Sequence, residues 1–303
     1  MNTAAQPARG GVVVPFVLIA LIWGSTWFVI RDQISAVPPG WTVTWRFALA
    51  SLGMVVLAAV RRESLGLPPG GQRVALIVGL TQFCLNYEFV YEAERYLTSG
   101  IVAVFYALLL VPNALLSALF LKTRLTGRFL AGSAVAIAGI ALLLAHEMRM
   151  APAEARVGLG IALCLGGLIA ASVANVVQAG EAARRCAPVP LMAWSMIWGT
   201  LIDAAYALAV DGPPVFDPRP AYWAGVAYLA IVGSVITFPL YFRLIRDMGA
   251  GGAAYNGVVT PVVAMGLSSL FEGYRWSVLS IAGSVLAMAG LLIALSARGK
   301  HRG

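Results

Sequence analysis

Two ionisable side chains interrupt long apolar stretches of this sequence, Arg46 and Glu88. A charge at the centre of a bilayer-spanning helix costs roughly 2.5–3.5 kcal/mol on insertion scales, so such a group ordinarily faces a cavity or a partner. Glu88 falls about 10 Å from one end of its segment, at about 1.5 Å per residue, and Arg46 falls at a comparable depth in the segment before it. The two are expected to form an ion pair. The competing reading has Arg46 reaching the membrane interface and Glu88 protonated and hydrogen-bonded between helices. Asp203 stands alone in a later segment, where a polar contact near the segment end is expected.

Polar stripes accompany these charges. Gln82 and Asn86 share a helix face at i, i+4 spacing, as do Tyr87 and Tyr91. Ser172, Asn175 and Gln178 follow one another at intervals of three on an otherwise apolar segment. Tyr106 and Asn113 lie on another segment, Tyr255 and Asn256 on a fourth. In lipid such groups turn inward, either as glue between helices or as the wall of a wet cavity. The cavity reading is preferred: amides and hydroxyls would hold a zwitterion, with aromatic rings beside an apolar side chain. Its lining would be Gln82, Asn86, Tyr87, Glu88, Tyr91, Tyr106, Ser172, Asn175, Gln178, Tyr255 and Asn256.

Other residues suggest gates and hinges. Trp23 and Trp27, four apart, either gate the cavity or pack in the core. Trp41, Trp223 and Trp276 fall at segment ends, where an interfacial belt accounts for them. Pro112 and Pro261 leave the carbonyls of Leu108 and Gly257 without their helical donors, so both helices should kink, as fixed bends or as moving hinges. Gly24, Gly166 and Gly167 permit close helix approach.

Several chemistries are absent. No GxxxxGK[ST] loop offers an ATP site. No HExxH, GxSxG or metal-ligand cluster occurs, and the two histidines, His146 and His301, lie near a helix end and in the tail. Cys84, Cys164 and Cys186 show no CxxC spacing, so neither a disulfide framework nor a metal site is expected. No cofactor is expected.

The elements that must position these residues are membrane helices. The chain of 303 residues is 60% hydrophobic and 11% charged, against roughly 25% charged in soluble domains. Continuous apolar runs near twenty residues exclude a β-barrel and predict spanning helices. Ten segments are read, at 12–30, 41–60, 73–92, 97–121, 127–145, 157–179, 190–210, 221–245, 250–271 and 276–297. Residues 1–11 form a disordered tail, 147–156 a linker and 298–303 a basic tail. The first segment is read as retained rather than as a cleaved signal peptide, because it is the partner of the sixth.

The net charge of +8 signals topology, not nucleic acid. Fourteen Lys and Arg occupy one alternating set of connections and both termini, against six in the other set. That bias puts both termini in the cytoplasm of a cell-membrane protein and requires an even helix count. The layout also repeats. Gly100 precedes Pro112 by twelve residues, as Gly249 precedes Pro261, and Gly132–Gly139 and Gly283–Gly290 are both seven apart. Five helices per half, 12–146 and 157–297, make an inverted repeat, the architecture of carriers with a midplane site. An all-α integral membrane protein of ten helices around a central cavity is therefore expected.

Trp23-Gly24-Ser25, Arg46-Phe47, the prolines of the fourth and ninth segments and Phe271-Glu272 appear in the order of the drug/metabolite transporter superfamily, ten-helix EamA-type branch. The resemblance spans about residues 12–297, and Tyr87-Glu88 with its aromatic-rich helices looks most like YddG-type aromatic amino-acid exporters. It departs once: Thr123 stands where the first copy would carry the turn glutamate, and Glu272 is read as a helix-turn residue. The resemblance implies a secondary exporter of amino acids or other small metabolites, working in the lipid bilayer. A channel, a scaffold or, less so, a membrane enzyme are the alternatives. A monomer is the simplest expectation, and facilitated export and proton exchange through Glu88 both stay open.

Overall fold

The computed structural model describes residues 9–150, 156–241, 243–244 and 255–296, and these are helical with no strand among them. Among them nine helices are long and apolar enough to cross a membrane, and one apolar helix is shorter. In chain order they are α1 (Arg9–Gln33), α2 (Pro39–Val60), α3 (Gly71–Ala93), α4 (Ser99–Leu121), α5 (Gly127–Met150), α6 (Val157–Ala179), α7 (Pro188–Val210), α8 (Pro220–Tyr241), α9 (Asn256–Phe271) and α10 (Val278–Ser296). The first helix begins at Arg9, inside the stretch read as a tail, and α5 runs on to Met150, into the stretch read as a linker. Gly249 and the basic tail lie outside the described residues.

Helix starts follow local chemistry. Prolines occupy the first turns of α2, α7 and α8, where their missing N–H costs nothing. Gly70, Gly212 and Gly273 take positive φ values of 83°, 82° and 69° at the turns, a region open to glycine without a Cβ clash.

The contacts occur in swapped pairs, as two like halves require. Helix α1 packs on α9 while α6 packs on α4; α2 packs on α8 while α7 packs on α3. The tightest pair is α5 with α10. There the glycines spaced by seven mesh: a methyl on Gly132, Gly139, Gly283 or Gly290 would strike the backbone of the facing helix. Lipid offers no hydrophobic drive between helices, so such close backbone packing supplies the attraction. A methyl on Gly24 would strike the side chain of Val263 on α9.

Two helices carry π-helical insertions, Gly79–Leu85 in α3 and Tyr228–Ile236 in α8. Each wider turn adds a residue to the ladder and re-aims the side chains beyond it, and π segments recur at functional sites. The two prolines behave differently. Helix α4 tightens to a 3-10 turn over Ala107–Leu109 just before Pro112, whereas α9 runs unbroken through Pro261, so a matching break in α9 is absent.

Candidate functional site

Arg46 is 2% exposed and lies where α2, α3 and α8 meet. Its Nη1 donates to the Tyr91 hydroxyl at 3.1 Å and its Nη2 to Ser234 Oγ at 3.5 Å. The guanidinium carbon lies 4.5 Å from the Tyr87 ring centroid and 5.2 Å from that of Phe47, so two aromatic faces stabilise the cation. The expected Arg46–Glu88 pair is not formed, and no ion pair reaches Arg46 among the described residues. The reason is helical phase. Tyr87 and Tyr91 face α2, and Glu88, about 100° further round, turns to the seam with α7 instead.

The neighbouring residues widen this centre across both halves. Tyr106 donates to Asn86 Oδ1 at 2.9 Å, and its ring lies 5.3 Å from that of Trp27. Gly167 makes room for that hydroxyl, which a Cβ would strike. Trp23 donates Nε1 to the Gly233 carbonyl at 3.3 Å, and Ser25 shares a 2.6 Å hydrogen bond with Tyr228. Among the described residues, Nε of Arg46 and Nε1 of Trp27 are buried here without a partner. A buried donor left unmet costs about 1–3 kcal/mol. Both unmet groups are N–H donors, so an acceptor is the chemistry that would satisfy them.

The remaining expected lining residues divide. Asn175 donates to Asn113 Oδ1 at 3.2 Å, tying α6 to α4. Ser172 is fully buried and spends its hydroxyl on the Leu168 carbonyl of its own helix, so it presents nothing to a cavity. Asn256, also fully buried, donates to the Phe16 carbonyl at 2.8 Å and accepts from Thr260 at 3.1 Å, which fastens α9 to α1. Gln178 and Tyr255 are half-buried. Gln82 lies within the π segment of α3, where its carbonyl accepts a 3.4 Å bond from Asn86. Trp41 belongs to no interfacial belt: it is 3% exposed, stacks on Trp45 at 5.4 Å and donates to the Gly212 carbonyl.

A cavity of about 470 Å³ opens toward the end of the bundle that carries Arg61 and Arg243, among Met54, Met192 and Phe238. None of the expected lining residues faces it. Phe238 separates it from the centre just described. Its ring lies 6.0 Å from Trp23 and 6.3 Å from Phe83, and Phe83 leads through Phe47 at 5.1 Å to Tyr87.

At the opposite end the halves are joined. Glu272, closing α9, accepts from Ser99 Oγ at 2.6 Å, the Ser99 backbone N–H at 3.2 Å and Ser268 Oγ at 2.7 Å. It thereby caps α4, which has no side-chain cap of its own. Glu94, just past α3, is fully buried nearby with both carboxyl oxygens unpartnered. Burial first, then the charge of Glu272, pushes its carboxyl well above the usual range, with Arg31 and Arg46 pulling the other way. Arg31 itself donates to the backbone carbonyls of Glu94 and Leu97, at 2.5 and 2.7 Å.

Sequence reasoning missed Ser234, Trp27's unmet donor and Glu94 as parts of this arrangement. The first two depend on the π segments and the crossing of helices, which no local spacing announces; a glutamate four residues after Val90, at the end of an apolar run, could have signalled the third.

Comparison with known proteins agrees with this architecture. The model of the EamA-like transporter family matches residues 11–145 and 158–296. An Escherichia coli K12 protein described as "Uncharacterized inner membrane transporter YedA" is 31% identical, over 91% of this chain and 88% of its own length. "Protein PagO" of Salmonella typhimurium is 24% identical, over 93% and 92%. An E. coli K12 "Probable amino-acid metabolite efflux pump" is also 24% identical, over 91% and 92%. One solved structure superposes with a TM-score of 0.69 at 19% identity, covering 97% of this chain and all of that one, a likeness of fold.

Proposed function

Because the chain belongs to the EamA-like transporter family, we propose that it is a secondary transporter exporting small metabolites, neutral amino acids and foremost aromatic ones, by alternating access. The observation that carries the reading is Arg46: a buried guanidinium with an unmet N–H, aromatic faces beside it and no carboxylate paired to it. A substrate carboxylate completes that site, and the rings of Tyr87, Tyr106 and Trp27 receive a flat or apolar side chain. The Arg61–Arg243 end is placed in the cytoplasm with both termini, by the loop charges. The 470 Å³ cavity is then the cytoplasmic vestibule, with Phe238 as its inner wall. The protein acts as a monomer in the cell membrane, the inner membrane in a Gram-negative cell.

The test is uptake into reconstituted vesicles, screened across amino acids, nucleosides and sugars. Saturable counterflow of a neutral amino acid is expected. Ohmic flux would indicate a channel, and absence of flux a scaffold. Arg46→Gln should cut counterflow about tenfold or more, since a charge-assisted bond contributes about 1.5–3 kcal/mol. Unchanged counterflow in that variant would remove Arg46 from the site.

A further inference from the structure

Asp203 lies about two turns from the end of α7 and is fully buried, yet neither carboxyl oxygen meets an oxygen or nitrogen partner. The polar contact expected for it comes down to a single thiol on α3. Its neighbours are the Cys84 thiol on the π segment of α3 and, within electrostatic reach, Glu88, whose Oε1 is likewise buried and unpartnered. A thiol is a weak donor and no substitute for a cation. The cations nearby are spoken for: Arg46 on α2 points to Tyr91 and Ser234, and Arg95 pairs with Glu92 at 3.0 Å. On α6 the titratable neighbour of α3 is Cys164, which sits toward Glu94. Every other titratable group around the pair is acidic or neutral: Glu92 on α3, and Tyr206 and Asp211 on and just past α7.

These groups form a row. Asp211 and Glu92 stand at the mouth, Glu88 is one turn below Glu92, and Asp203 is about two turns below Asp211. An ionised carboxylate out of water requires donors or a cation, and the row supplies neither at its buried end. We infer that Asp203, with Glu88, is a proton-binding site, loaded from the end of the bundle that holds Glu92 and Asp211 and separate from the Arg46 centre. The step is a simple exchange: a proton from that side passes along Glu92 and Glu88 and closes the Asp203 carboxylate as a carboxylic acid. Its purpose, moving a proton against the exported solute, rests on the transport reading above.

Infrared spectroscopy of the purified, full-length protein tests it with the proton itself as probe. At neutral pH the difference between wild type and Asp203→Asn should show loss of a protonated-carboxyl carbonyl band. Loss of a carboxylate stretch instead would overturn the site. Should Asp203→Asn not fold, Glu88→Gln serves: it should shift the pH at which the wild-type carboxyl band disappears, and an unchanged titration would overturn the pairing. Neither readout uses transport. A negative spectrum with intact counterflow therefore sinks only the proton site, and a positive spectrum with no flux sinks only the transport reading.

Discussion

The turn that closes α9 and the turn that closes α4 are the same piece of backbone with different chemistry. In each, a left-handed residue ends the helix, Gly273 at φ 69° and Lys122 at φ 55°. In each, the next N–H returns to a serine carbonyl, Tyr274 to Ser268 at 3.2 Å and Thr123 to Ser117 at 3.3 Å. This register places Leu121, not Thr123, opposite Glu272. The acid is thus present in one half only, and there it takes three hydrogen bonds and ties α4 to α9. At the other turn Lys122, Thr123 and Arg124 are exposed, and the inner part of α4 leans on α6. Repetition fixed the fold; one unrepeated carboxylate distinguishes its two ends.

The largest way to break that difference is Glu272→Leu. Removing a charged acceptor of three bonds costs about 3 kcal/mol, so the α4–α9 junction should loosen. A cysteine at Ser268, fully buried in the wild type, should then react at least about tenfold faster with a membrane-impermeant thiol reagent. The native cysteines are buried and give little background. Unchanged reactivity would show that the acid holds nothing.

A smaller effect concerns pH at the same junction. Glu94 binds its proton more tightly when buried beside Glu272 than when exposed. Its contribution to stability is therefore full below the ordinary carboxyl value of 4.5 and is lost as pH rises toward the raised one. Thermal midpoints should fall across that window in the wild type and flatten in Glu94→Gln. A parallel pH profile in the variant would contradict the assignment. The smallest effect is at the plain turn: Lys122→Gly relieves a left-handed lysine and should raise stability by up to about 1 kcal/mol, read as a small rise in the thermal midpoint without loss of counterflow.

How much was legible beforehand depends on how local the physics is. The glycines at seven-residue spacing were legible as marks of the repeat, and the structure gives their cause: backbone approach depends on missing side chains alone, and α5 and α10 meet through them. Arg46 was singled out because a charge among apolar residues needs a reason. Its partner was misread because depth alone was compared: along the regular helix Asn86–Ala93 the two tyrosines face α2, and Glu88 lies about 100° further round. Ser172 and Asn256 were polar as expected, but their bonds close within the packing. Whether a polar group faces a cavity or a carbonyl depends on the neighbouring helix, which spacing along one helix does not encode.

Counterflow of a radiolabelled neutral amino acid in vesicles, comparing wild type with Arg46→Gln, tests the central claim most directly. The account predicts saturable exchange in the wild type and its loss, about tenfold or greater, in a variant that keeps its thermal midpoint. Exchange of equal rate in both proteins, or none in the wild type for any amino acid, would contradict it.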